Sequence, residues 1–142
     1  MIKYEYFEDG KLLITKYTGD IDKETVKSYI LHIFNQTNCN NLVKLIADYR
    51  DSTILFYPED LEIIAQTRKK VNVGLLKNHT VFLVDTPRET ALCLLISEKY
   101  NKGLIPADFC ATLNRCIKSL SLDIDQDELA RRLKELKFEF VE

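Results

Sequence analysis

The chain has 142 residues, 46% of them apolar and 30% charged, and a formal charge of -2. At that length roughly two thirds of the surface exposed by the unfolded chain is buried on folding, so a core forms without the help of metal or disulfide. The small negative charge and a pI near 5.8 weigh against a protein whose main work is gripping nucleic acid or an anionic membrane.

Ile2, Tyr4 and Tyr6 alternate with charged residues, and KLLITKYTG follows Asp9-Gly10, which predicts an opening β-hairpin. Acids in MIKYEYFEDG and the lack of an apolar segment there argue against a signal peptide. From Asp20 to Thr37 the apolar residues Val26, Tyr29, Ile30, Ile33 and Phe34 lie at helical spacing, with Asp20 or Asp22 available as cap. Residues 42 to 47 are nearly all apolar and predict a strand covered on both faces. A loop from Tyr49 to Tyr57 then leads to a helix with Pro58 in its first turn and Leu61, Ile64 and Ala65 as its buried stripe.

HTVFLVD, residues 79 to 85, repeats the buried-strand pattern. Thr86-Pro87-Arg88-Glu89 reads as a capping box opening the helix TALCLLISEKY. LIPADF carries Pro106, which removes a ladder donor and places that strand at an edge or a bulge. Residues 111 to 120 and 125 to 137 read as two closing helices, the second with Asp125 and Glu128 in capping-box positions and Ile124 and Leu129 as a staple. The ending KFEFVE reads either as a short extra strand or as an aromatic lid. The longest apolar run, Ala91 to Ile96, is far short of the roughly twenty residues of a membrane span. The expectation is one α/β domain over residues 1–142: a mostly parallel, five-stranded mixed sheet opening with a hairpin, with helices on its faces.

That order, with GDIDKETV after the hairpin, LIADYRD on the central strand, YPEDLEIIA on the next helix and then VFLVDTPRETALCLLISEKY, resembles the STAS-like proteins. These are similar to anti-sigma-factor antagonists and to the cytoplasmic domain of sulphate transporters, and the likeness is greatest to their small bacterial single-domain branch. The resemblance implies a STAS-like fold and a regulatory role. In phospho-switch members the central strand ends in an aspartate followed by a phosphorylatable serine or threonine and a nearby glycine. Asp48 matches the aspartate, but Tyr49 stands at the acceptor position and no glycine follows. Ser52 and Thr53 remain as shifted acceptors, opposed by the like charges of Asp51, Glu59 and Asp60.

Function is sought at the carboxyl ends of the strands, where crossovers diverge. Asp48, Arg50, Asp85 and Asp108 are assigned there. Asp48 and Asp85 on neighbouring strands would suit Mg2+, although the commoner use of such an aspartate is to accept loop amides. Arg50 either clamps an anion or fastens the loop to Asp48, Asp51 or Asp85. Arg88 opposes the dipole at its helix start and therefore calls for a partner. Leu55, Phe56 and Tyr57 form an apolar cluster among charges, either a partner-binding anchor or a staple on the following helix. His32 and His79 suit no catalytic triad. Glycines 10, 19, 74 and 103 are isolated turn positions rather than a phosphate loop. Cysteines 39, 93, 110 and 116 lack CxxC or zinc spacing and read as reduced thiols. Arg68-Lys69-Lys70 and Arg131-Arg132 with Lys134 and Lys137 read as solvated helix faces.

The leading expectation is a non-enzymatic, cytoplasmic regulatory or binding domain that needs no cofactor. It recognises a protein partner or a small amphipathic ligand through Tyr49, Arg50, Asp51, Ser52, Phe56, Tyr57, Asp85 and Arg88, without nucleic acid or a transmembrane segment, and is compatible with a homodimer. An apolar-ligand or lipid carrier is the alternative, and a metal-dependent enzyme using Asp48 and Asp85 the third reading.

Overall fold

The computed structural model describes residues 1–36, 39, 41–71 and 78–142. Thr37 and Gly74, named above for a helix end and a turn, lie outside the described residues.

Strands β1 (Ile2–Phe7) and β2 (Leu12–Ile21) form the predicted hairpin, paired antiparallel with Ile2 opposite Tyr17 and Phe7 opposite Leu12. Its turn runs through left-handed backbone at Glu8, Asp9 and Gly10, and the Gly10 amide closes onto the Phe7 carbonyl at 3.1 Å. Helix α1 (Lys23–Phe34) starts later than expected because Asp22 caps it, accepting the Thr25 amide at 2.7 Å, and Asp20 falls within β2. After β3 (Lys44–Ile54), a 3-10 turn at Pro58–Asp60 leads into α2 (Leu61–Val71). Strand β4 (His79–Leu83), helix α3 (Pro87–Lys102), strand β5 (Ala107–Cys110), helices α4 (Leu113–Leu120) and α5 (Gln126–Lys134) and strand β6 (Phe138–Phe140) complete the order.

Among the described residues the sheet has six strands in the order β5-β4-β3-β2-β1-β6, parallel from β2 to β5. The sixth strand is the KFEFVE segment, antiparallel to β1 with Phe140 opposite Ile2 and Phe138 opposite Tyr4. It is a strand rather than a lid because its backbone groups pair with the edge that β1 leaves open, while Phe140 packs against Tyr29 at 5.5 Å between ring centres. Pro106 immediately precedes β5, an edge strand, and its carbonyl accepts the Thr80 amide.

Alternation along the strands feeds two cores. Leu13, Tyr17, Ala47, Tyr49 and Phe82 face α1, α2 and α3, while Leu12, Ile14, Ile46, Val81 and Leu83 face α4 and α5. Thr112 caps α4 and Asp125 caps α5 through amides three residues on. Thr86 does not cap α3 with its side chain. Its hydroxyl donates instead to Glu89, at 2.8 Å.

Two expectations fail in a physically instructive way. The third strand does not end at Asp48 but continues to Ile54, so residues 49–54 are sheet rather than loop. A bulge hides this in the sequence: Lys16 pairs with Asp48 and Thr18 with Asp51, so Tyr17 alone faces both Tyr49 and Arg50. The extra residue shifts the in-out alternation by one and brings Ile54 to the same core as Tyr49. Arg68 is not on a solvated helix face but only 2% exposed, on the side of α2 that meets the sheet.

Candidate functional site

The bulge sets the chemistry at the carboxyl ends of β2, β3 and β4. Alternation places Asp48 on the α4 side of β3, wholly buried, near Cys116 of α4. Arg50, two residues on, folds back over it. The Asp48 Oδ1 accepts the Arg50 amide and Nε, both at 3.0 Å, and its Oδ2 accepts Nη2 at 2.9 Å. The guanidinium edge remains partly open to solvent, at 27% exposure. The bond to Asp48 raises the Arg50 pKa above its ordinary value against an opposing desolvation, with smaller attractions from Asp51 and Asp85. Arg50 is thus the fastening that the sequence offered as one of its two roles. With three donors on its oxygens, Asp48 is not free to join Asp85 around Mg2+. Among the described residues no group of three or more His, Cys, Asp or Glu side chains is disposed to hold a metal.

Asp51 pairs with Lys16 across the strands at 2.9 Å, and that hydrogen bond holds its carboxyl below the usual range. The Ser52 hydroxyl donates to the Tyr49 carbonyl at 2.8 Å, spanning the bulge. Tyr49 itself is not a surface residue. Its ring stacks on Tyr17 with centres 4.0 Å apart and planes 5° from parallel, and burial pushes its phenol well above the ordinary value. The position to which the resemblance assigns a phosphoacceptor is therefore a core aromatic here. Phe56 is likewise enclosed, packed with Ile54, Ile64 and Leu92, so the staple reading holds for this one member of the cluster.

Its two neighbours point the other way: Leu55 is 47% and Tyr57 60% exposed. This segment is not slack. Arg88, from the first turn of α3, donates Nη1 to the Ile54 carbonyl and Nη2 to the Phe56 carbonyl, and pairs with Glu89 at 2.8 Å. That is the partner its place at a helix start requires. On the far side the Tyr57 amide donates to Asp60 at 2.9 Å, and Asp60 meets Lys23 of α1 at 3.3 Å. Asp85 lies exposed in the β4–α3 connection, close enough to act on Arg50.

The remaining candidates fall elsewhere. Asp108 is in the middle of β5, opposite Val81, accepting the Phe109 amide and the Ser119 hydroxyl. His79 pairs opposite Lys44 at the amino end of the sheet, and His32 bonds Tyr4 and Gln36 on α1. Neither reaches the Asp48 cluster. The voids between the sheet and α1–α3 measure about 50 and 30 Å3, too small for an acyl chain, which counts against the lipid carrier. Sequence reasoning missed the interior polar set of Arg68, Asn78 and Thr80. The only signal for it was an arginine four residues from Ile64, on the apolar stripe of its helix.

No protein-family model matches the chain, and no curated protein does. Among solved structures it is similar to the anti-sigma factor antagonist SpoIIAA in its unphosphorylated form. The match has a TM-score of 0.53 and 12% sequence identity, and covers 86% of this chain and 99% of that one. No helix among the described residues is long and apolar enough to cross a membrane. The chain therefore has a STAS-like fold, the fold of SpoIIAA, carried by a sequence with little in common with it.

Proposed function

We propose that residues 1–142 form one non-enzymatic regulatory domain, acting in the cytoplasm, that binds a protein partner at the carboxyl ends of β3 and β4. Leu55 and Tyr57 supply the apolar centre, with Arg50, Asp51, Asp85 and Arg88 as its charged rim. The single observation that carries this reading is the rigid display of two large apolar side chains by backbone clamped from both ends, through Arg88 and Asp60. An apolar anchor within a polar rim is the usual anatomy of a binding hot spot, and pre-ordering lowers the entropy lost on binding. The likeness to a protein named an anti-sigma factor antagonist supports a regulatory partner. Tyr49, at the position the resemblance assigns to the phosphoacceptor, is buried. The shifted hydroxyls are Ser52, half-buried and bonded to the Tyr49 carbonyl, and the exposed Thr53, where the charge of Asp51 beside them opposes a phosphate.

The test is a photo-crosslinking amino acid placed at Tyr57, and separately at Lys118 on α4, in the protein expressed in its own cells. A single adduct from position 57, lost on Leu55→Asp and absent from position 118, is expected. Equal adducts from both positions, or one indifferent to Leu55→Asp, would refute the assignment. Should the adduct have twice the chain's mass, the partner is a second copy.

A further inference from the structure

Cys110 and Cys116 are not part of the partner-binding surface, and the fold brings their thiols together. Cys110 ends β5, opposite Leu83, and Cys116 lies in α4. Between them the chain reverses at Thr112, the cap of that helix, so that Cys110 packs against the second core, to which Cys116 belongs. One oxygen marks the meeting: the Thr112 carbonyl accepts the Cys110 Sγ at 3.6 Å and the Cys116 amide at 3.1 Å. The two side chains also hydrogen-bond to each other.

The two thiols differ in the way that a redox pair needs. Cys110 is half-buried and within reach of a small oxidant, whereas Cys116 is fully enclosed, at 0% exposure. The bond from Cys116 holds the Cys110 thiol below its ordinary value against partial desolvation, and the charge of Arg115 adds to that effect. The same bond, together with burial, pushes Cys116 above its own ordinary value. One sulfur is thus the nucleophile that solvent reaches, and the other is a protected thiol placed behind it to resolve the oxidised form. Cys39 and Cys93 are both buried, and burial pushes each thiol up, so neither competes for oxidant.

We propose that Cys110 and Cys116 are a modification site, closed to a reversible intramolecular disulfide by hydrogen peroxide. The Cys110 sulfur attacks one peroxide oxygen. An S–O bond forms, the O–O bond breaks, and the leaving hydroxide takes up the proton that the thiol gave up, which yields water and a sulfenic acid. The Cys116 sulfur then attacks the Cys110 sulfur. An S–S bond forms, the S–O bond breaks, and the hydroxyl departs with the Cys116 proton as a second water. Two electrons pass from the thiol pair to one peroxide, and a dithiol reductant returns them. In a reducing compartment a pair of this kind is open at rest and closes under oxidant. Closed, it pins the start of α4 to the end of β5 beside Asp48, whose charge acts on Cys116.

The test exposes the full, reduced chain to hydrogen peroxide, blocks the remaining thiols and digests the product with trypsin without reductant. Cleavage after Lys102, Arg115 and Lys118 puts the two cysteines on separate peptides, 103–115 and 116–118. The expected result is a single chain lighter by two hydrogens, with those peptides joined, and full reversal by dithiothreitol. Cys116→Ser should stop instead at a Cys110 sulfenic acid that dimedone captures, and Cys110→Ser should leave Cys116 unoxidised. The linked peptide is read on the unaltered chain, so it decides the matter even where a variant fails to fold. A Cys110 that gains oxygen without the linked peptide, a Cys110 that stays unmodified, or a disulfide made through Cys39, Cys93 or a second chain overturns the proposal.

Discussion

Replacing Arg50 by alanine isolates the energetics of the bulge. Asp48 has no solvent exposure and Arg50 supplies three of its hydrogen bonds, two of them from the side chain. Arg50→Ala leaves the backbone amide in place but strands a carboxylate inside the second core. Removing one partner of a buried pair typically costs 3–5 kcal/mol. The amide that stays and the partial solvent access of Arg50 reduce this, so a loss of about 3 kcal/mol is expected. In a chain of 142 residues this lowers the thermal midpoint by roughly 6–12 °C. Urea titration measures it directly, provided the slope m is unchanged. The decisive comparison is a cycle with Asp48→Asn. Once the carboxylate is neutral, Arg50→Ala should cost about 1 kcal/mol, a coupling of about 2 kcal/mol. If the single variant loses under 1 kcal/mol, or the two changes add, the pair is not what holds the bulge and the reasoning fails.

Arg88→Ala removes the clasp on the Ile54 and Phe56 carbonyls. Arg88 is about half exposed, so the stability loss is about 1 kcal/mol, and amide exchange at Leu55 and Tyr57 should quicken while that in β4 stays unchanged. Phe140→Ala withdraws a ring packed on Tyr29 and His32 and should cost roughly 1–2 kcal/mol, with light scattering reporting any association through the loosened β1 edge. The acid limb follows from carboxyls held low: Asp22 by the Thr25 amide, Asp51 by Lys16, Asp60 by the Tyr57 amide, Glu62 by Lys99, and Glu128, pushed down to about 2, by Arg131 and Arg132. Folded values below unfolded ones mean stability present above the ordinary carboxylate range and lost as pH falls through it toward the folded values. The urea midpoint should therefore fall between about pH 5 and pH 2, and less steeply in 1 M salt because these groups are exposed. A midpoint independent of pH across that interval contradicts the assignment.

The local chemistry of the chain was enough to specify most of its elements. The apolar period of Val26, Tyr29, Ile30 and Ile33 specifies α1, and the runs at 42–47 and 79–84 specify strands covered on both faces. Asp22, Thr112 and Asp125 are helix start signals that act through the nearest backbone amides and need no tertiary partner. Of the candidate site, the sequence offered a pairing of Arg50 with Asp48 as one of two roles, and left Leu55, Phe56 and Tyr57 between anchor and staple; only the structure turns Phe56 inward and Leu55 and Tyr57 outward.

Long-range pairing decided the rest. Residues 49–54 become strand because the long β2 offers them Thr18 to Ile21 as partners, and the bulge at Tyr17 erases the alternation that would have announced it. Tyr49 is enclosed because Tyr17, thirty-two positions earlier, supplies the ring it stacks on. KFEFVE becomes a strand because the hairpin leaves one edge of β1 open. The burial of Arg68 was the least legible, since a cation in an Arg-Lys-Lys run carries no local mark of which member turns inward. The meeting of α2 with Phe34 of α1 and Asn78 before β4 bears on that choice, and hydrogen bonding across such distances in sequence leaves no periodicity to read.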